Sequence, residues 1–133
     1  QVRYRVGSLR ALEQVRAGEL LENGRVLLLK NGALPWSGVV RNEMPQVLLV
    51  IGYSIADDRY MLNTVPANPE NFEARMDLPA SWAGLRDAQL AEVTGVPDAM
   101  FCHNKRFIAA ARSFDGALTL ARLALAQEGK LIS

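Results

Sequence analysis

The residues best suited to chemistry in this sequence fall between His103 and Ser113. His103 is the only histidine, and Lys105 lies two positions after it. Arg112 and Ser113 precede a predicted helix, whose N-terminus offers unpaired amides and positive potential to a phosphate. An arginine can add a forked pair of donors to the same anion. If the intervening hairpin folds back over the helix start, His103, Arg112 and Ser113 converge on one phosphate. The alternative interpretation is that His103 simply ends a strand and that the neighbouring cations are solvated.

The other reactive residue types are sparse. One histidine and one cysteine, Cys102, exclude a pair of histidine ligands, a thiolate zinc site and a disulfide within the chain. No carboxylates cluster at metal-ligand spacing, and no glycine-rich phosphate loop is present. The sequence thus predicts neither catalytic residues nor a metal site in this chain. Trp36 and Trp82 are interpreted as packing residues, with base stacking as the alternative.

Smaller features have simpler interpretations. Asp57-Asp58 is typical of a turn, where aspartate is favoured by its backbone preferences. Arg86-Asp87 is interpreted as a local ion pair or the start of a helix. Cys102 is predicted to be a small buried hydrophobic residue in a strand.

Length and composition indicate one domain with a substantial core. The chain has 133 residues, of which 50% are hydrophobic, and a net charge of +1, so overall charge gives no strong attraction to nucleic acid. The single cysteine predicts a reducing, cytoplasmic location. Apolar runs such as Val47 to Ile51 are too short for a membrane span, and no signal peptide is visible. Gln1 suggests either a removed start or a piece of a longer protein.

The first part of the chain is predicted to form a leading helix and turn over residues 1–24. The helix runs from Ser8 to Leu21 with Ser8 as its N-cap, and Glu22-Asn23-Gly24 is the turn. A strand is expected from Arg25 to Lys30. Pro35 is expected in the first turn of a short helix that continues toward Arg41.

Two hairpins and a long final helix complete the predicted α+β domain. Its sheet is expected to be mostly antiparallel, built from the hairpins plus the strand at Arg25 to Lys30, and covered by helices. Short helical pieces are expected within Ser81 to Val93, after an irregular connection from Pro66 to Pro79. Ser113 is expected to cap a helix from Phe114 to about Glu128 that stops at Gly129. The two hairpins are predicted at Val47 to Ser54 with Arg59 to Val65, and at Ala99 to His103 with Arg106 to Ala110.

Several segments, taken in order, resemble one known family. The resemblance runs from about Arg25 to the end of the chain, and together the segments are similar to the carboxy-terminal half of the melanocyte-proliferating-gene family. That family is also labelled metal-dependent protein hydrolases and resembles the DHH phosphoesterases. The segments are Leu34–Trp36, Asn71–Arg75, Leu78–Pro79, Trp82–Asp87, Leu90–Pro97, Phe101, His103, Phe107–Ile108, Asp115–Leu118 and Ala121–Arg122.

The resemblance implies a function shared with a second domain. It implies a missing amino-terminal domain whose histidines and aspartates hold manganese or magnesium, and hydrolysis of phosphodiesters, with 3′-to-5′ exonuclease action on RNA as the expected role. Two ions would activate water and stabilise the leaving oxygen. This chain, residues 1–133, would be the substrate-binding carboxy-terminal domain of that parent hydrolase. Its substrate-binding residues would be His103, Lys105, Arg112 and Ser113, and alone it would be inactive.

One departure from the family pattern affects this expectation. Relatives usually carry two glycines after Phe107-Ile108, where this sequence has Ala109-Ala110. Two methyl groups would obstruct a close backbone approach to a ligand. Two alternatives therefore remain at this point: a non-catalytic module that binds RNA or a nucleotide, and a structural or dimerisation domain. Whether the chain forms a homo-oligomer is left open.

Overall fold

Six strands form one mixed sheet in the computed structural model. The structure describes residues 2–68, 70 and 73–132, with side chains described from residue 9 to residue 127 of these. The strand order is β1-β2-β3-β4-β6-β5, and every neighbouring pair is antiparallel except β2 with β3. The strands are β1 Glu19–Leu21, β2 Val26–Leu29, β3 Leu49–Ser54, β4 Arg59–Thr64, β5 Ala99–Cys102 and β6 Ile108–Ala111.

In the described part of the chain, four α-helices and one 3-10 helix accompany the sheet. The predicted α+β class is confirmed, as are both predicted hairpins, which correspond to β3–β4 and β5–β6. Across the described part of the chain, no helix is both long enough and apolar enough to cross a membrane. The helices are α1 Val2–Arg16, α2 Ser37–Glu43, α3 Asp87–Thr94 and α4 Phe114–Ile132, with a 3-10 helix at Ala80–Trp82.

The sheet has a core on each face. On one face, Leu27 and Val50 pack with Val15 of α1 and Val40 of α2. On the other face, residues of the alternate strand positions pack with Leu90 of α3 and with the apolar side of α4. Since β2 and the first half of β3 are covered on both faces, Val26–Leu29 and residues 49–51 are continuously apolar rather than alternating.

The predicted helix from Ser8 to Leu21 is wrong at both ends. Helix α1 begins at Val2, so Ser8 lies inside it and is not its N-cap, and it ends at Arg16. The residues after Gly18 pair with β2 as strand β1. A Cβ atom at Gly18 would lie 2.8 Å from Leu27 Cδ1, so the glycine allows the chain to turn closely against β2. Gly18 interrupts the helical pattern, and this was the signal in the sequence that the helix ends before Leu21.

Three further expectations need correction. The sheet has six strands rather than five, and β2 with β3 is a parallel pair because α2 forms the crossover between them. Helix α2 begins at Ser37, with Trp36 at its N-cap position, rather than at Pro35. Helix α4 continues through Gly129 to Ile132. A glycine costs a helix only about 1 kcal/mol relative to alanine, so it need not end one.

Candidate substrate groove

A groove of about 640 Å³ opens beside the turn between β5 and β6. Its walls come from the start of α2, the end of β4, the segment after β4, and the β5–β6 turn. Two of the residues predicted to bind substrate, His103 and Lys105, line it. The lining residues are Trp36, Ser37, Asn63, Thr64, Pro66, Glu73, Ala74, Asp77, His103, Lys105 and Phe107.

His103 and Lys105 are tied together by the backbone of the turn. The Lys105 amide donates a hydrogen bond to His103 Nδ1 over 3.0 Å. Because Nδ1 acts as the acceptor, a neutral His103 ring carries its proton on Nε2. The His103 amide also donates to the Ile108 carbonyl at 2.9 Å, which closes the hairpin. The turn therefore restrains the His103 ring and leaves Nε2–H as a donor without a partner inside the turn.

Aromatic surface adjoins these donors. The Phe107 ring centroid lies 4.6 Å from that of His103, with the ring planes tilted by 47°. The Phe107 carbonyl accepts from both the amide and the hydroxyl of Thr64, at 3.0 and 3.2 Å, which holds the residue at the end of β4. The Phe107 side chain remains 46% exposed. Trp36, half-buried at the start of α2, also borders the groove.

The groove carries both signs of charge. Glu73 and Asp77 contribute carboxylates to the wall formed by the segment after β4, and Lys105 contributes an ammonium on the β5–β6 turn. Asp77 is paired with Arg106 at 3.5 Å. Arg106 has φ 63° in this turn, and its carbonyl accepts from the Leu78 amide at 3.1 Å. The turn is therefore anchored to the facing wall by a charge pair and a backbone hydrogen bond.

A short backbone ribbon forms one wall of the groove. Residues 65–67 and 73–75 lie antiparallel, with the Arg75 amide donating to the Val65 carbonyl and the Ala67 amide to the Glu73 carbonyl, each at 2.8 Å. Pro66 and Ala74, which both line the groove, form the bridge between the two segments. The irregular connection expected from Pro66 to Pro79 therefore contains an ordered ribbon; Asn71 and Phe72 of the family-like segment lie outside the described residues.

The Arg75 side chain fastens this ribbon to the end of α2. Its Nη1 donates to the carbonyls of Met44 and Val47 at 2.8 and 2.7 Å, and its Nη2 to those of Arg41 and Val40 at 3.1 and 3.3 Å. Partial burial, followed by the nearby Arg41 charge, lowers the pKa of Arg75 from its usual value. In the sequence, Arg75 is noticeable only as part of a family-like segment. A single arginine gives no sign that its hydrogen-bond acceptors are carbonyls some 30 residues away.

Arg112 and Ser113 lie at the other end of the hairpin. Arg112 follows Ile108 by four positions along an extended strand, a span of about 13 Å. The hairpin register therefore places Arg112 and Ser113 away from His103. The three residues do not converge on one phosphate as expected. The physical reason is that β5 and β6 are antiparallel, so the end of one strand adjoins the start of the other.

The start of α4 already holds an anion from the chain itself. The Asp98 carboxylate accepts from the Ser113 amide at 2.8 Å and from the Ser113 hydroxyl at 2.5 Å. Ser113 Oγ in turn accepts from the Gly116 amide at 3.0 Å, so the predicted cap of α4 is present. Both donors of Ser113 that were expected to meet a phosphate are thus engaged by the Asp98 carboxylate.

The alanine pair and the cysteine lie in the core. Ala109 and Ala110 are fully buried in β6, between β4 and β5, and neither lines the groove. Cys102 is buried, as predicted, and burial raises the pKa of its thiol to about 11. Trp82 is likewise a core residue. The methyl groups at Ala109 and Ala110 therefore fill space within the sheet instead of narrowing the groove.

Two further interpretations concern turns and helix starts. Asp57 and Asp58 lie in the β3–β4 turn, where Asp58 has φ 51° and accepts from the Tyr53 hydroxyl at 2.5 Å, which agrees with their predicted turn role. Asp87 is the first residue of α3.

The described residues do not offer a site that fits a divalent metal ion. No group of three or more histidine, cysteine, aspartate or glutamate side chains within residues 9–127, apart from the undescribed positions, is arranged to hold one. We therefore derive no catalytic step through a metal from this chain.

Comparison with known proteins gives a consistent result. The MYG1 exonuclease family, described as an uncharacterised protein family (UPF0160), matches residues 6–125. The chain is 33% identical over 114 residues to a human protein named MYG1 exonuclease and 34% identical over 110 residues to its mouse counterpart. It is 31% identical over 126 residues to an MYG1 protein of Schizosaccharomyces pombe.

The alignments cover most of this chain but less than half of each relative. The alignments span 82%, 79% and 92% of this chain but only 30%, 29% and 39% of the human, mouse and fission-yeast proteins. The chain thus spans about a third of the length of the relatives it matches. No solved structure shows a significant match to the chain.

Proposed function

The chain belongs to the MYG1 exonuclease family, and from that premise we propose that it is the substrate-holding, carboxy-terminal part of a metal-dependent RNA exonuclease acting 3′-to-5′. The groove beside the β5–β6 turn would receive one nucleotide of the RNA. Manganese or magnesium would be held by a part of the protein outside this chain, and the chain alone would bind RNA without cleaving it. We further propose a cytoplasmic location, in keeping with a single buried cysteine.

The observation that supports this proposal is the presence of aromatic and cationic side chains in one groove. Trp36 and Phe107 offer ring surface on which a base can stack. The Lys105 ammonium and the His103 Nε2–H are donors suited to a phosphate oxygen. The proposal assigns the nucleotide to this groove rather than to the start of α4, because the Asp98 carboxylate already occupies that helix start.

The carboxylates of the groove suit the sugar rather than the phosphate. A carboxylate repels a phosphate but accepts hydrogen bonds from ribose hydroxyls. Glu73 and Asp77 line the same groove as Lys105, so a nucleotide whose phosphate meets Lys105 would direct its ribose toward these carboxylates. This arrangement favours RNA, since the 2′-hydroxyl distinguishes it from DNA.

The binding test uses the full 133-residue chain and a short adenosine oligoribonucleotide. Binding is measured by the change in tryptophan fluorescence. Of the two tryptophans, Trp36 lines the groove and Trp82 is buried in the core. We expect Lys105→Met to weaken binding about tenfold, because charge-assisted hydrogen bonds contribute about 1.5–3 kcal/mol. Trp36→Phe should remove most of the ligand-dependent fluorescence change.

Arg122→Met provides the matched control. Arg122 is an exposed cation on α4, on the opposite face of the sheet, and pairs with Glu22 at 3.0 Å. Its loss should leave RNA affinity unchanged. Equal effects of Lys105→Met and Arg122→Met would contradict the proposed groove.

The catalytic assignment is tested by cleavage. With manganese present and contaminating nucleases excluded, the 133-residue chain should leave labelled RNA intact, whereas the parent protein should shorten it from the 3′ end. Efficient cleavage by the chain alone would contradict the proposal that the catalytic metal ions are held outside this chain. RNA binding by a parent protein that cannot cleave it would instead support the non-catalytic alternative.

A further inference from the structure

Asn63 of β4 lines the groove in company with its two aromatic residues. It is the register partner of Val50 on one neighbouring strand and of Ile108 on the other. Side chains at paired positions leave the same face of the sheet, with Cβ atoms about 4.5–5.5 Å apart. Val50 belongs to the core against which Trp36 packs, and Ile108 directly follows Phe107. Asn63 therefore occupies a position between the parts of the fold that carry the two rings.

One hydrogen bond sets the orientation of the Asn63 amide. Its Nδ2 donates to the Val50 carbonyl at 3.3 Å. The reversed amide would bring two acceptor oxygens together, so this contact assigns the nitrogen and the oxygen. Within the described structure it is the one hydrogen bond of this side chain, and Oδ1 is not among the buried unpaired atoms. The acceptor Oδ1 and the second hydrogen on Nδ2 thus remain for a ligand in a defined order.

A second hollow of about 610 Å³ also touches Asn63. None of the residues that line this hollow is charged or aromatic, whereas the groove contains Trp36, Phe107 and Lys105. The groups that suit a base and a phosphate are therefore on the groove side of Asn63. A nucleotide would approach the amide from that side.

The other uncharged polar side chains of the groove are less selective. Ser37 and Thr64 contribute hydroxyl-bearing residues to its lining, and the Thr64 hydroxyl donates to the Phe107 carbonyl at 3.2 Å. A hydroxyl rotates to donate or to accept, so it does not impose an order of donor and acceptor on a ligand. Asn63 is therefore the lining residue best suited to distinguish one base from another.

The order of donor and acceptor separates the two purines. Adenine presents an amino donor beside a ring-nitrogen acceptor, through N6 with N7 on one edge and N6 with N1 on the other. Guanine has a carbonyl acceptor at the place of that amino group, beside another acceptor on the first edge. An asparagine amide matches adenine with two hydrogen bonds. The larger ring system of a purine also stacks over more aromatic surface than a pyrimidine does.

We propose that Asn63 reads the base of the bound nucleotide and gives the groove a preference for adenine. The inference rests on the proposed function, in which the groove receives one nucleotide. Oδ1 of Asn63 accepts from the N6 amino group, and Nδ2 donates to the adjacent ring nitrogen. Lys105 and the aromatic rings hold any nucleotide, whereas Asn63 makes affinity depend on the base.

The test compares adenosine 5′-monophosphate with inosine 5′-monophosphate on the full 133-residue chain, by tryptophan fluorescence. Inosine keeps the purine ring, ribose and phosphate, but it has a carbonyl acceptor in place of the amino donor and an N–H donor at N1. The adenosine nucleotide should bind about tenfold more tightly, as expected for one two-bond contact to a base. Asn63→Leu should reduce this preference to within about twofold, mainly by weakening binding of the adenosine nucleotide.

Asn42→Leu is the matched control. Asn42 is an exposed residue of α2 that does not line the groove, so this variant should keep the preference of the unaltered chain. Urea unfolding shows whether Asn63→Leu remains folded. Because the two nucleotides are compared first on the unaltered chain, equal affinities there would overturn the inference even if this variant failed to fold.

The remaining outcomes separate this inference from the proposed function. Equal binding of the two nucleotides that is weakened by Lys105→Met would retain the groove and refute base reading. Tighter binding of the inosine nucleotide, or a preference for adenosine that survives Asn63→Leu, would also refute it. Absence of binding of both nucleotides and of the adenosine oligoribonucleotide would contradict the groove itself.

Discussion

One hydrogen bond joins His103 to the backbone of Lys105. The Lys105 amide donates to Nδ1 of His103, so the remaining ring donor is Nε2–H, and the same turn carries Lys105, which lines the groove with His103. Sequence spacing correctly indicated these two as neighbours. It could not indicate that Phe107 would stack beside His103, since that contact depends on how the turn returns to β6.

Cys102 provides a test of burial at a single residue. Burial raises the pKa of its thiol to about 11, from an ordinary value of 9.0. The thiolate is the reactive form, so at pH 8 a two-unit increase reduces its population about 100-fold. We expect Ellman's reagent to react with the folded chain at least about 100-fold more slowly than with the urea-unfolded chain.

The pH dependence of unfolding checks the same shift independently. Because the folded pKa is raised, the contribution of Cys102 to stability is fully present below pH 9 and is lost as the pH rises through about 11. The Cys102→Ala variant should lack the part of the stability loss that occurs as the pH rises from about 9 to about 11. Rapid thiol labelling of the folded chain, with no difference between the two pH profiles, would contradict the buried, neutral thiol.

At the scale of elements, the start of α4 shows how an internal carboxylate can occupy an anion site. Asp98 lies just before β5, and the antiparallel pairing of β5 with β6 brings it to Ser113. The prediction that Ser113 caps α4 is confirmed by its contact with Gly116. The role of Asp98 could not be read from the sequence, because it depends on the register of two strands.

Removal of this carboxylate should destabilise the fold. Asp98→Ala deletes the acceptor for both donors of Ser113, and we expect it to lower the free energy of unfolding by about 2 kcal/mol. Urea denaturation monitored by circular dichroism measures the change. As the control, Asp115→Ala removes a first-turn acid that interacts mainly with the helix dipole, with an expected cost of about 0.5 kcal/mol. A larger loss for Asp115→Ala than for Asp98→Ala would refute this assignment.

At the scale of the whole molecule, the groove depends on a close crossing of the backbone. The loop after β2 passes over β3, where the Gly32 amide donates to the Tyr53 carbonyl at 2.8 Å. A Cβ atom at Gly52 would lie 2.6 Å from Gly32 Cα. This crossing leads the chain to Trp36 and thus sets one wall of the groove, while Arg75 holds the ribbon wall against α2.

A methyl group at this crossing should affect both stability and binding. Gly52→Ala forces the two backbones apart, and we expect a loss of about 1–3 kcal/mol in unfolding free energy, as for other overpacked sites. Weaker RNA binding should accompany it, because the displaced loop carries Trp36. Gly38→Ala is the control: no atom lies within 4 Å of its added Cβ, and alanine in a helix should stabilise the chain by about 0.5–1 kcal/mol. Equal unfolding midpoints for the two variants would refute the crossing argument.

The sequence by itself determined the fold class, both hairpins, the capped start of α4 and the family, because each depends on patterns within a local segment or on motifs in order. Only the tertiary structure decided that Arg112 and Ser113 lie away from His103 and that Arg75 clamps a wall of the groove. These features follow from strand order and register, which join residues distant in the chain. Local composition carries little information about such pairings.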